Sequence, residues 1–150
     1  MSTRIKVSVT GQKELLAELR KFGDVGDEAG KRVLGAACAR VVPMARALAP
    51  VEEGDGGALR DSIRTTKPTK TRAGRISAGV VAGGAPLRRL ASERGRALPG
   101  SYGSIQHEDL TLKHKSGEAK FLEKPFFRVV NDVPDDLMQE VDALQKQGGP

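Results

Sequence analysis

The spacing of apolar residues predicts a strand followed by a helix at the start of the chain. Polar and apolar residues alternate over residues 4–9, which is typical of a half-buried strand. The apolar members are Ile5, Val7 and Val9. From residue 12 the apolar positions change to helical spacing, and Gly23 is well placed to end that pattern. A first helix is therefore predicted over 12–22.

A longer helical pattern follows, rich in alanine and glycine. It extends from Asp27, the predicted N-cap, to Leu48, and Pro50 ends it. Its apolar stripe consists of Val33, Ala37, Val41, Ala45 and Leu48. The small residues allow neighbouring backbone to approach closely, and Pro43 removes one backbone donor, which predicts a kink. The stripe fits the core of one subunit, with a contact between subunits as the alternative.

The middle of the chain has weak apolar periodicity. Two short antiparallel strands are predicted at 58–66 and 75–82. The basic, proline-containing stretch within 64–75 and the non-periodic segment 83–101 are predicted to be flexible loops.

Large apolar residues concentrate after residue 100. They are Tyr102, Ile105, Phe121, Leu122, Phe126 and Phe127. A strand is predicted over 120–123, and Pro125 suits the first turn of a final helix. Pro134 is expected to bend or split that helix, and residues 145–150 to form a frayed tail.

These elements predict one α+β domain over residues 1–150. An N-terminal strand and two helices would pack on a small antiparallel sheet, with a long basic loop and a C-terminal helix. The length of 150 residues suits a single core, although only 3% of residues are aromatic. No segment has the length of apolar sequence that a membrane span needs, so no membrane partner is predicted.

Charge is unevenly distributed along the chain. The 25 Lys and Arg exceed the 19 Asp and Glu, giving a net charge of +6. Nine basic residues lie between positions 64 and 96, where Glu93 is the only acid. Acidic residues instead dominate the segment 131–146. The basic segment could be a solvated loop, meet an acidic neighbouring subunit, or contact nucleic acid without sequence specificity.

Head-to-tail association of identical copies would bring the basic and acidic segments together. The candidate interface residues are Arg88, Arg89, Arg94 and Arg96 on one copy and Asp135, Asp136 and Glu140 on its neighbour.

The sequence gives little support for catalysis, a metal site or a bound cofactor. The spacing between His107 and His114 matches no common zinc motif, and Cys38 lies in an alanine-rich run typical of a buried core residue. His107, Glu108 and Asp109 are adjacent, so their side chains are expected to diverge and to fix a local turn or subunit contact instead of forming an acid/base centre. No catalytic, cofactor-binding or metal-ligating residue is predicted.

Two blocks of sequence resemble small neck and tail-completion proteins of tailed bacteriophages. The first joins Arg46-Ala-Leu-Ala-Pro-Val-Glu-Glu-Gly to Ala58-Leu-Arg-Asp-Ser-Ile63. The second contains Tyr102 to Glu108, then Ser116-Gly-Glu-Ala-Lys-Phe-Leu-Glu123 and Pro125-Phe-Phe. The opening strand and following helix also fit this family, which includes relatives of the lambda minor tail protein Z. The connection over residues 52–57 is longer than is usual in the family.

The resemblance implies a structural protein of the virion, made in the host cytoplasm and without enzymatic activity. It implies a homo-oligomeric ring, hexameric or larger, that joins head to tail. The implied partners are further copies of the chain and other neck proteins, namely connector, head-closure, tail-terminator or tail-tube proteins, with non-specific contact to packaged DNA. A small basic DNA-binding protein is the alternative.

Overall fold

The computed structural model describes most of the chain. The described residues are 5–8, 23–51, 56–95, 97–98, 102–113 and 116–147. The helix predicted over 12–22 lies outside them.

Three strands and six helices are assigned within the described residues, and the predicted α+β class is confirmed. In chain order they are β1 (Ile5–Ser8), α1 (Asp24–Leu48), α2 (Ala58–Asp61), β2 (Arg64–Lys70), β3 (Ile76–Ala82), α3 (Gly84–Glu93), α4 (Tyr102–Glu108), α5 (Glu123–Val130) and α6 (Val133–Lys146). The prediction of a strand at the start of the chain is confirmed by β1.

The strands form one antiparallel sheet in the order β1-β3-β2. The central strand β3 pairs with β1 in a register that sets Val7 opposite Val80, and with β2 in a register that sets Thr65 opposite Val80. Nearly every residue of β3 is buried, as expected for a short apolar strand covered on both faces.

Helix α1 packs across the sheet with the predicted small-residue stripe. Val33, Ala37, Val41 and Ala45 of that stripe are buried, whereas Leu48 is partly buried; Ala29, one turn earlier, is buried as well. A Cβ added at Gly30 would come within 2.7 Å of Ile76 Cδ1, so α1 and β3 approach as closely as the small-residue pattern predicted. The stripe therefore serves the core of one subunit.

The predicted N-cap of this helix is wrong by four residues, because the observed N-cap is Gly23. Helix α1 begins at Asp24, directly after Gly23, so Asp27 lies inside it. The Asp27 carboxylate instead accepts a hydrogen bond from Lys70 Nζ and ties α1 to the end of β2.

The basic segment 64–75 is not wholly a loop, because Arg64–Lys70 forms the edge strand β2. The strand lacks the apolar alternation that sequence analysis detects. Pro68 lies within a register shift between Thr66 and Thr69, and proline is tolerated at such irregular edge positions because it cannot donate to the ladder. Only residues 71–75 connect β2 to β3.

The prediction of a long loop over 83–101 is also wrong for its first half, because Gly84–Glu93 forms α3. Leu87 and Ala91 are buried at a spacing of four residues, whereas Arg88 and Arg89 are exposed. These two buried side chains are too few to give a recognisable helical pattern in the sequence. Pro86 in the first turn does suit a helix start.

Two other predicted strands are helical or turn structure. Residues 58–61 form the single helical turn α2. Of the strand predicted over 58–66, only residues 64–66 lie in β2. Residues 120–122 form a turn before α5, in which Lys120 has a positive φ of 58°. Phe121 and Leu122 are adjacent and both fully buried, which a strand with one solvent face would not allow.

The C-terminal helix divides as predicted. Helix α5 ends at Val130 and α6 begins at Val133, with Pro134 in its first turn. Val133, Leu137, Val141 and Leu144 form the buried stripe of α6. The helix extends through Lys146, so residues 145 and 146 are ordered helix and not the start of a frayed tail.

Candidate interaction surfaces

The first sequence block forms a scaffold around the end of α1. Arg46 of α1 donates from Nη2 to the Ile63 carbonyl at 2.8 Å. The buried Ser62 hydroxyl donates to the Leu59 carbonyl at 2.7 Å and accepts from the Gly83 amide at 2.8 Å. Because Leu59 and Ile63 are fully buried, most of this block fixes α2 against α1 and the strand ends.

The second block closes over the same end of α1. The Glu118 amide donates to the Leu48 carbonyl at 2.8 Å, and the Val51 amide donates to the Ser116 carbonyl at 3.3 Å. Gly117, with φ of 83°, sits between these bonds and against the backbone of residues 48–50. The block thus satisfies a carbonyl at the helix C-terminus that has no partner within the helix.

A polar network joins α4 to the turn before α5. His107 Nδ1 and Glu108 Oε1 are 2.7 Å apart, and Lys120 pairs with Glu108 and, at 3.2 Å, with Glu123. Hydrogen bonds from Lys120 and then His107 hold the pKa of Glu108 below its ordinary value, and Glu108 and Glu123 raise the pKa of Lys120. The expectation that His107 and Glu108 diverge is therefore wrong, because their flexible side chains turn toward each other.

Within this network the His107 imidazole is enclosed, whereas the Glu108 side chain is 58% exposed. The His107 ring is 3% exposed and packs edge-on against Phe121, with ring centroids 5.1 Å apart. Its Nε2 is buried and has no hydrogen-bond partner within the described residues. Asp109 does diverge, and its carboxylate accepts from the Thr111 amide at 2.9 Å, which fixes the following turn as predicted.

Two of the three candidate acids on α6 have partners within the chain. Asp136 pairs with Arg40 of α1 at 2.5 Å, and Glu140 pairs with Arg32 of α1 at 3.1 Å. Arg32 donates hydrogen bonds to Glu28 and to Glu140, and these bonds, with that to Glu28 contributing most, raise the pKa of Arg32. The two pairs line an open groove of about 580 Å³ between α1 and α6. Asp135 is exposed on the outer side of α6.

The four candidate arginines have different surroundings. Arg94 donates to Asp61 at 2.5 Å and to the Gly56 carbonyl at 3.0 Å, and its hydrogen bond lowers the pKa of Asp61. Arg89 lies 3.6 Å from Glu93 in an exposed pair, while Arg88 is exposed on the same helix. The side chain of Arg96 lies outside the described residues. The structure thus leaves Arg88 and Arg89 as the outward basic groups of α3.

A second group of cations surrounds the β2–β3 turn. Lys67, Arg72 and Arg75 are exposed, and Lys70 is paired with Asp27. No acidic residue occurs between Asp61 and Glu93 in the sequence. The turn end of the β2–β3 hairpin is therefore positively charged.

Sequence analysis missed several exposed apolar side chains. Ile105 is 45% exposed, Leu110 72%, Phe127 59% and Met138 52%. Ile105 and Phe127 belong to the large apolar residues noted after residue 100, and Leu110 and Met138 were not singled out. A signal was available for Leu110, which stands among the polar residues Asp109, Thr111 and Lys113.

The described part of the chain shows no exposed cysteine, no metal-ligating cluster and no membrane-spanning helix. Cys38 is buried, as predicted, and burial raises the pKa of its thiol. No cluster of metal-ligating side chains occurs among the described residues. None of the helices assigned there combines the length and apolar character of a membrane span.

Comparison with known proteins identifies the family. The HK97-gp10-like family, described as "Bacteriophage HK97-gp10, putative tail-component", matches residues 13–124, which is 112 of the 150 residues. No curated protein and no solved structure gives a significant match. The match includes the first sequence block and all of the second except Pro125-Phe-Phe, and it confirms the predicted phage neck or tail family. The chain belongs to the HK97-gp10-like family of bacteriophage tail components.

Proposed function

We propose that this chain is a structural protein of the phage neck that assembles as a homo-oligomeric ring, joins head to tail, and performs no catalysis. The ring proposal rests on the presence of two oppositely charged helix faces on one chain. Arg88 and Arg89 point outward from α3, and Asp135 points outward from α6. Two different complementary surfaces on one chain favour head-to-tail association, which closes into a ring when the rotation between copies permits.

The rigid junction around α1 supports this role. A ring subunit must hold its two contact surfaces at a fixed angle, because small errors add up around the ring. Both sequence blocks pack on the end of α1, which also contacts α6 along its length. The proposed partners beyond further copies are connector, head-closure and tail-tube proteins, and the proposed location is the neck of the virion.

Reversing the charge of Arg88 and Arg89 tests the ring contact. The double variant Arg88→Glu/Arg89→Glu should weaken self-association by about tenfold or more, because like charges would then face each other across the contact. Light scattering on a concentration series of the purified protein measures the change. A second charge reversal, Asp135→Arg, should restore assembly when combined with the first.

Two matched controls separate this contact from general charge effects. Arg72→Glu/Arg75→Glu makes the same charge change on the hairpin and should leave assembly unchanged. Asp136→Asn removes an exposed pair within the chain and should lower the free energy of unfolding by at most about 1 kcal/mol without dissociating the ring. Unimpaired assembly of the α3 variant would refute the charged contact.

Contact with packaged DNA is a second candidate function, favoured by the exposed cations of the hairpin. Duplex binding, measured by fluorescence anisotropy, should weaken steeply with salt, since each phosphate contact contributes about −0.9 to the slope of log K against log salt. Arg72→Glu/Arg75→Glu should reduce that slope, whereas the α3 variant should leave it nearly unchanged. Equal slopes for the wild type and the hairpin variant would exclude this role for the hairpin.

A further inference from the structure

Apolar side chains are exposed together on α4 and the turn that follows it. Ile105 is 45% exposed, Leu110 72% and Leu112 37%. We call these three residues, with the exposed Lys113, the leucine turn. Exposed apolar side chains that form a contiguous patch commonly indicate a protein contact, and these three lie within eight residues of one another along the chain.

The leucine turn is held in place by its own hydrogen bonds. Asp109 Oδ1 accepts from the Thr111 amide at 2.9 Å and from the Thr111 hydroxyl at 2.6 Å. The Lys120 amide donates to the His107 carbonyl at 2.9 Å, which fixes the end of α4 to the body of the protein. The exposed leucines therefore project from a defined turn, so a partner would not have to supply the free energy of ordering it.

A complementary surface lies on α6. Asp135, Met138 and Asp142 are spaced by three and four residues, so they share one helix face. We call them the Met138 stripe. Met138 is 52% exposed, and Asp135 and Asp142 are also exposed, so this face lies outside the buried stripe that contacts α1. The stripe thus presents an apolar centre with a carboxylate about one helical turn to either side.

We infer that the leucine turn of one copy packs on the Met138 stripe of the next copy in the ring. The inference rests on the ring proposed above and identifies an apolar contact within it. Leu110 and Leu112 would cover Met138, and Lys113 would meet the Asp142 carboxylate of the stripe, which leaves Asp135 for Arg88 and Arg89. An apolar centre with a charged rim is the usual composition of a specific interface.

Charge complementarity favours a second copy as the occupant. A nucleic acid would be repelled by the two carboxylates of the stripe, and nothing in the leucine turn matches a phosphate except Lys113. The same chain carries both surfaces, and they differ, so each copy can use one surface on each side. Arg88 and Arg89 would add charge to the same head-to-tail association.

Mixing two complementary variants tests this arrangement. Leu110→Ser/Leu112→Ser damages only the leucine turn, and Met138→Lys damages only the stripe by placing a cation opposite Lys113. Each variant alone should be monomeric in light scattering at concentrations where the wild type forms a ring, with self-association weakened by about tenfold or more. An equimolar mixture retains one intact contact per pair, so it should give a heterodimer that grows no further.

The other outcomes separate this contact from the ring itself. If the wild type forms a ring and either variant assembles equally well, the proposed contact is wrong but the proposed ring is supported. A mixture that stays monomeric would show that the two surfaces do not meet. A wild type that remains monomeric alone and with its neck neighbours would overturn both proposals.

Two further variants guard against misinterpretation. Phe127→Ser removes an equally exposed apolar side chain outside both surfaces and should leave the ring intact; dissociation would overturn the assignment to these surfaces. The single variant Leu110→Ser changes a side chain that is 72% exposed, so it should keep the wild-type unfolding temperature while still weakening assembly. Unchanged assembly of this folded variant would count against the contact.

Discussion

Replacing Phe121 by alanine is expected to lower the free energy of unfolding by about 3–5 kcal/mol. Phe121 is fully buried in the turn between α4 and α5, and its ring meets the edge of His107. Removing the ring leaves a cavity at the place where both sequence blocks join the core. The turn is also constrained by Lys120, with its positive φ of 58°, so the backbone has little freedom to collapse into the space.

Urea unfolding followed by circular dichroism measures this loss. Phe127→Ala is the matched control, because the same atoms are removed from a side chain that is 59% exposed, and it should cost less than about 1 kcal/mol. Phe121→Leu should retain most of the stability that Phe121→Ala loses, because leucine fills much of the space of the ring. Equal losses at the two phenylalanines would contradict the conclusion that burial of Phe121 is what makes its ring stabilising.

The elements that sequence analysis predicts well are those in which burial repeats at a regular spacing. The buried side of α1 repeats every three or four residues from Val33 to Ala45, and the division between α5 and α6 follows from Pro134. In both cases the information is local: a residue's neighbours in sequence decide its environment. The fold class follows from these elements.

The elements that escape prediction are those fixed by contacts with distant residues. Helix α3 needs only Leu87 and Ala91 in the core, and β2 is held by pairing with β3 more than by its own apolar side chains. A pattern search within one segment cannot see a partner strand. For the same reason the turn at Lys120–Leu122 resembles a strand until its packing is known.

Charged sites show the same dependence on distant partners. Asp135 and Asp136 are adjacent and chemically identical, yet Asp136 pairs with Arg40 while Asp135 faces outward. Arg94 is similarly engaged by Asp61, unlike the exposed Arg88. Sequence analysis finds the charge asymmetry, but only the positions of α1 and α2 determine which charges are used within the chain.

The sequence blocks that indicate the family are mostly structural. Pro50, Leu59, Ile63, Phe121 and Pro125 are among the most buried side chains of the described residues. By contrast, the residues proposed to contact a second copy lie largely outside these blocks, on α3, α6 and the turn after α4. A family signature of this kind identifies how the chain folds, whereas the proposed contacts between copies involve surface residues that lie largely outside it.

Replacing Gly117 by alanine should be among the most destabilising single changes, at about 3 kcal/mol or more in the free energy of unfolding. Gly117 has φ of 83°, which costs about 1–2 kcal/mol for any residue with a Cβ. The added Cβ would also lie 2.6 Å from the Leu48 carbonyl oxygen and from Pro50 N. Because these are backbone atoms at the end of α1, relief requires the turn to move and the Glu118 to Leu48 hydrogen bond to lengthen.

Gly74→Ala separates the two contributions. Gly74 has a similar φ of 77°, but a Cβ added there meets nothing within 4 Å, so this variant should lose only the conformational part, about 1–2 kcal/mol. Denaturant unfolding of both variants gives the difference, which measures the close approach of residue 117 to α1. Hydrogen exchange at the Glu118 amide should also accelerate in Gly117→Ala alone. Equal stability of the two variants would show that the second sequence block does not depend on this contact, and the proposed rigid junction would lose its main support.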